Sequence, residues 1–198
     1  MRSRFIMISS VFLLALPAAA EESNWQAEAI RRALDYHAAN LPALCVTPEE
    51  TEMEPASYEL QVGEDTAARQ ALIVEFPCQF SAYSQTAVYL LSDQRGTVSE
   101  IVFPTPKFDL TYTGEGSDAT VEKVVIYETP YRREIANGQY DPSSRTMVER
   151  NNWRELQDAH TETHWTFKNG KFEIVYFAVD ATFDGEDNPI VVLKRDIW

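Results

Sequence analysis

Thr161-Glu162-Thr163-His164-Trp165-Thr166-Phe167-Lys168-Asn169-Gly170-Lys171-Phe172-Glu173-Ile174-Val175-Tyr176 is the stretch that decides the fold. Asn-Gly favours a two-residue type I′ turn, which needs positive φ at both central residues and fixes the register of both flanks. Lys168 then faces Lys171. One face of the predicted hairpin pairs Phe167 with Phe172, Trp165 with Ile174 and Thr163 with Tyr176, an aromatic and branched ladder suited to a core. The other pairs Thr166 with Glu173, His164 with Val175, Glu162 with Phe177 and His160 with Val179, half polar as a face near solvent would be.

Outward from this hairpin, strand signals continue in both directions. Ala71 to Phe76, Ala87 to Leu91, Val98 to Phe103 and Val121 to Tyr127 are apolar runs of strand length, and Asp93-Gln94-Arg95-Gly96 supplies a turn. Pro104, Pro106 and the segment Gly114 to Asp118 interrupt the pattern. Asn137-Gly138 and Asp141-Pro142 are further turn signals, the first through glycine's tolerance of positive φ and the second through a type I start. Near the other end, Ser23 and Asn24 are cap-type residues, and Ala27, Ile30, Leu34 and Leu41 recur at helical spacing. The spacing predicts a helix over Trp25 to Ala39, with His37 on its apolar face and Pro42 ending it. Thr47 to Pro55, rich in Glu and Pro, reads as an exposed connection. The expected fold is mainly β (α+β), with an N-terminal helix packed on a curved antiparallel sheet built of hairpins.

The first twenty residues read as an address label. Arg2 and Arg4 form a positive n-region, Phe5 to Leu16 an apolar h-region, and Ala18-Ala19-Ala20 a small-residue cleavage site before Glu21. The h-region is too short to span a bilayer as a helix, so no transmembrane segment is expected after cleavage. Residues 1–20 are therefore the expected signal peptide and 21–198 one β-rich domain, periplasmic or secreted. Cleavage removes two arginines and takes the formal charge of the 198-residue chain from −14 to −16. Such a field repels phosphate backbones, which excludes nucleic acid as a partner. It favours a basic protein, a cationic peptide or a divalent cation, and it also serves as a solvated coat that keeps an exported chain soluble. Two cysteines, Cys45 and Cys78, allow one pairing, and export makes a disulfide the expected state. On the chain-entropy model, closing a loop of roughly 34 residues stabilises the fold by about 3 to 4 kcal/mol.

The downstream third has a recognisable texture: Ala136-Asn137-Gly138-Gln139-Tyr140-Asp141-Pro142-Ser143-Ser144-Arg145-Thr146-Met147, then Trp153-Arg154-Glu155-Leu156-Gln157-Asp158-Ala159, then Trp165 to Phe172. Together with Cys78-Gln79-Phe80-Ser81-Ala82-Tyr83, this resembles an uncharacterised family of exported bacterial proteins catalogued as domain of unknown function 1176. The resemblance covers most of the chain after the leader. It implies envelope location and transfers no catalytic residues.

Two segments carry candidate chemistry. On a strand, His160, Glu162 and His164 alternate onto one face and would converge on a zinc ion, although the expected register places Val175, Phe177 and Val179 opposite them with no fourth ligand. A polar strand edge explains the same residues. The run Asp180-Ala181-Thr182-Phe183-Asp184-Gly185-Glu186-Asp187 places Asp180, Asp184 and Gly185 at the first, fifth and sixth positions of a calcium loop. Thr182 at the third position and Val191 at the twelfth exclude a calmodulin-type site and leave a weak loop or an acidic turn. Serines lack a nucleophile elbow, and the 31 acidic residues make any chosen carboxylate pair uninformative. No cofactor is implied. The expected function is a non-catalytic binding or inhibitory module of the envelope. The alternatives are a metal-assisted hydrolase using His160, Glu162 and His164, and a calcium-stabilised structural protein.

Overall fold

In the computed structural model, which describes residues 19–42, 45, 55–63, 69–114 and 120–196 with side chains from 25 onward, one helix precedes a series of antiparallel strands. The expected leader up to residue 18, and most of the Thr47 to Pro55 connection and of the Gly114 to Asp118 break, lie outside the described residues. The fold is mainly β, as expected. The strands divide, however, between two five-stranded sheets and two two-stranded ones instead of forming one sheet.

Helix α1 (Ala19–Asn40) starts earlier than predicted, so Ser23 and Asn24 lie within it instead of capping it. Its buried stripe is partly rotated from the expected one: His37 and Leu41 are buried as expected, but Ala27 is exposed and Ala29 and Ala33 are buried, with Ile30 and Leu34 half-buried. The small Ala29 and Ala33 let the helix axis approach the sheet, and Trp25, Ile30, Leu34 and Tyr36 flank that contact. His37 stacks flat on Phe76 with ring centroids 4.4 Å apart. A disulfide joins Cys45, beyond the end of the helix, to Cys78 at a bulge in the sheet beneath it.

The first sheet runs in the order β1 (Ala56–Val62), β2 (Arg69–Phe80), β3 (Gln85–Asp93) and β4 (Val98–Glu100). Short strands β5 (Phe103–Pro104) and β8 (Tyr131–Arg132) pair with each other, and β6 (Lys107–Thr113) and β7 (Thr120–Glu128) make a hairpin. Strand β9 (Glu134–Ala136) pairs with β3 and leads directly into β10 (Gln139–Asp141) of the second sheet. That sheet continues through β11 (Thr146–Asn152), β12 (His160–Lys168), β13 (Lys171–Asp180) and β14 (Ile190–Lys194). At the corner between β9 and β10, Asn137 takes the positive φ of 49° and Gly138 does not, contrary to the turn reading. Gly138 is required for a different reason: a Cβ there would overlap the Tyr89 hydroxyl and lie 2.9 Å from Ile135 Cδ1. The Asp141-Pro142 turn is held by the Asp141 carboxylate, which accepts from the Ser143 amide and from both the Ser143 and Ser144 hydroxyls. These bonds bring its pKa down to about 2.

Both sheets contribute to the main core. Phe103 sits at its centre, with ring centroids 5.1 Å from Trp165, 5.1 Å from Phe172 and 5.7 Å from Tyr89. A separate cluster forms where Phe177 and Val179 of the second sheet meet Phe108, Leu110, Val124 and Ile126 of the β6–β7 hairpin. Strand β6 is absent from the sequence expectation, because the prolines on one side and Gly114 on the other mask its short alternating pattern. No helix among the described residues is long and apolar enough to cross a membrane.

Candidate functional site

The polar site is built on the face of the second sheet opposite its core, and a β-bulge determines its composition. From the Asn169-Gly170 turn the register runs as expected through Lys168–Lys171, Phe167–Phe172, Thr166–Glu173 and Trp165–Ile174. It then shifts by one, leaving Val175 as the extra residue of β13. An extra residue reverses the alternation beyond it. His164 therefore faces Tyr176, Thr163 faces Phe177, Glu162 faces Ala178 and His160 faces Asp180. The expected pairings of His164 with Val175, Thr163 with Tyr176, Glu162 with Phe177 and His160 with Val179 are corrected accordingly. Phe177 and Val179 turn into the core, and an aspartate takes the place expected for valine opposite His160.

Strand β11 completes the face, with Asn152 opposite His160 and Arg150 opposite Glu162. Arg150 is the centre of the polar network. Its Nη2 donates to Asp187 Oδ2 at 2.9 Å and to the Gln157 carbonyl at 3.3 Å, and lies 3.4 Å from His160 Nδ1. Its Nη1 is 3.7 Å from Glu162 Oε2. His160 is wholly buried, and its Nε2 has no hydrogen-bond partner. Asp187 Oδ1 lies 3.8 Å from that nitrogen. Burial, reinforced by the Arg150 charge, pushes the His160 pKa below its ordinary value and holds the ring neutral.

The three residues read as a zinc triad are not gathered at one point. Glu162 Oε1 pairs with His164 Nε2 at 2.7 Å, and the His164 ring lies 4.6 Å from that of Tyr176. His160 faces Arg150, Asp180 and Asp187 instead. Among the described residues, the group of His, Cys, Asp and Glu side chains able to hold an ion is His160, Asp180 and Asp187, each offering one atom within 4.8 Å of the others. Asp180 and Asp184 do not share a cage. Asp180 Oδ1 accepts from the Thr182 amide and hydroxyl and its Oδ2 from the Asn188 amide, whereas Asp184 Oδ1 accepts from the Glu186 amide. Arg150 and Asp187 escape sequence reasoning. Arg150 carries no motif, and Asp187 closes an acidic run in which nothing local distinguishes one carboxylate from another.

Beside this network, three loops meet at one end of the molecule. Tyr83 in the β2–β3 turn donates to the Trp153 carbonyl at 3.3 Å, and the Trp153 and Phe183 rings are 6.2 Å apart. Asp158 accepts two bonds from Arg154 and one from the Gly185 amide at 2.8 Å, which ties the β11–β12 loop to the β13–β14 loop. The Arg154 bonds hold the buried Asp158 carboxyl far below the usual carboxylate range. The rim of these loops exposes Leu156 (72%), Phe183 (53%) and Phe80 (52%). Glu155, Asp184 and Glu186 are exposed beside them, and among the described residues they form no ion pair. Comparison with protein-family models, with curated proteins and with solved structures found no match to this chain.

Proposed function

We propose that this chain is a non-catalytic binding or inhibitory module of the cell envelope, and that it meets a basic protein or cationic peptide through the rim of the 81–84, 153–158 and 181–189 loops. The observation that carries this reading is the exposure of Leu156 and Phe183 among carboxylates without an ion pair, on loops cross-tied by Asp158 and Trp153. Large apolar side chains at the centre of a patch supply binding energy, and surrounding charge of mostly one sign, here acidic apart from Arg154 over the Phe183 ring, selects the partner and speeds encounter. The loops are already ordered by internal bonds, so association loses little conformational freedom. The expected leader, the acidic balance and the resemblance to the exported family all agree with an envelope setting.

The test uses the mature, oxidised protein as bait for envelope proteins over a salt series, alongside a variant carrying Asp184→Lys and Glu186→Lys. A basic partner that elutes with rising salt and is lost by the charge-reversed variant supports the reading. Equal retention by both proteins, or binding indifferent to salt, overturns it. Of the metal-assisted hydrolase alternative, one support persists, the buried Nε2 of His160 without a hydrogen-bond partner, and it bears on metal binding without requiring a reaction.

A further inference from the structure

We infer that His160, Asp180 and Asp187 form a binding site for a divalent transition-metal cation of the zinc class, with Arg150 as its built-in competitor. The inference is independent of the loop-rim reading above.

The donor set is one imidazole nitrogen and two carboxylate oxygens, which suits zinc, cobalt or manganese better than calcium, whose preferred shell is six to eight oxygens. Zinc bonds of about 2.0 to 2.2 Å place two ligand atoms of a tetrahedral ion roughly 3.4 Å apart. His160 Nε2 and Asp187 Oδ1 stand at 3.8 Å, and all three donor atoms lie within 4.8 Å of one another. A small inward movement of Asp187, which is carried on an exposed loop with its own side chain 57% accessible, closes that gap.

One feature beyond the carboxylates points to a ligand and not to a chance cluster. It is His160 Nε2, an atom without a hydrogen-bond partner on a side chain with no exposure, on the ring edge that approaches Asp187. Buried polar groups without partners are uncommon and call for an explanation. Asp180 is held in position beside His160. Its Oδ1 is fixed by the Thr182 amide and hydroxyl and its Oδ2 by the Asn188 amide, which leaves a lone pair on Oδ2. Outer bonds of this kind orient metal ligands.

Arg150 sets the terms of entry. Its Nη2 approaches His160 Nδ1, which in the metal-free protein places the ring proton on Nε2. A metal takes the Nε2 lone pair, so in the neutral ring the proton moves to Nδ1, and the guanidinium must withdraw from that edge. Glu162 and the Gln157 carbonyl give it somewhere to go.

The experiment is calorimetric titration of zinc into chelator-treated, dialysed, oxidised protein, with cobalt(II) absorption as a readout of coordination. One ion per chain and a visible d–d band are expected. Asp187→Asn should weaken binding by about tenfold or more. Asp187 is exposed, so this variant should fold normally, which its unfolding curve checks. Arg150→Gln should tighten binding by removing the competing charge. His164→Asn should leave the affinity unchanged, because His164 pairs with Glu162 outside the cluster. No binding at millimolar zinc, retained affinity in Asp187→Asn, or loss of affinity in His164→Asn overturns the assignment, the last outcome restoring the His160, Glu162 and His164 set.

Discussion

The β12–β13 hairpin has two ends that obey different physics. At the Asn169-Gly170 end, both turn residues take positive φ, Phe167 meets Phe172 edge to face at 5.2 Å, and Trp165 donates its indole N–H to the Pro104 carbonyl. Each side chain there points where simple alternation sends it. At the far end, beyond Val175, a buried histidine faces a buried aspartate, and an arginine is shared among Asp187, Glu162 and a loop carbonyl. The turn end is held by apolar area, its charged residues Lys168, Lys171 and Glu173 lying outside the core. The far end is held by ion pairs and charge-assisted bonds, and its apolar residues reach the core only because the strand carries one extra residue. A local turn can therefore secure half of a hairpin while a single inserted residue decides which chemistry the other half presents.

Inserting one alanine between His164 and Trp165, which gives Val175 a partner and so removes the bulge while keeping every residue of β13, is the most direct way to break this comparison, and it has the largest expected effect. Without the bulge, the alternation set by the turn runs on unbroken, sending Phe177 and Val179 to the outer face and away from Phe108, Leu110 and Val124. Losing the burial of two such side chains costs on the order of 1.5 to 3 kcal/mol each, a large fraction of the stability of an ordinary domain. Denaturant unfolding should show a midpoint shifted far down or lost cooperativity. A stability within a few tenths of a kcal/mol of the parent would mean that the bulge does not set the register.

Gly170→Ala tests the turn end, with an intermediate effect. Gly170 sits at φ 81°, and a Cβ added there would meet no atom within 4 Å, so the cost is backbone strain alone. That strain is about 1 to 2 kcal/mol for an L-residue held in the left-handed region. Because no charge is involved, the loss should be the same in mild acid as at neutral pH.

How much can be read from residues alone follows the same division. The register from Lys168–Lys171 to Trp165–Ile174 is legible because a two-residue turn dictates its nearest neighbours. The bulge is not, since Val175 is an ordinary strand former and nothing in its type marks it as unpaired. The Cys45–Cys78 bond is legible by elimination, as there is no third cysteine. Helical spacing misplaces part of the buried stripe of α1 because Ala29 and Ala33 are buried for their smallness, a property visible only against the sheet they approach. Residue type draws attention to His160, but strand alternation does not place beside it the side chains that the fold brings there. Asp180 reaches it through the bulge, and Asp187 returns to it through a loop whose path no local rule fixes.

Asp158→Asn probes the far end and has the smallest expected effect at neutral pH, because its partner Arg154 is a third exposed and water screens the pair. Its value lies in its pH dependence. The folded pKa of Asp158 lies well below the ordinary 3.8, with the Arg154 bonds as the main cause and the Gly185 amide adding to them. A depressed carboxylate contributes stability that is complete above the unfolded pKa and is lost as pH falls through the folded one. The wild type should therefore lose its advantage over Asp158→Asn progressively as the pH drops below about 4, the two melting temperatures converging toward strong acid. Gly170→Ala should show no such convergence. If the Asp158→Asn difference is instead constant with pH, the bonds from Arg154 and Gly185 act as neutral geometry. The far end would then be organised, like the turn end, by packing and not by charge.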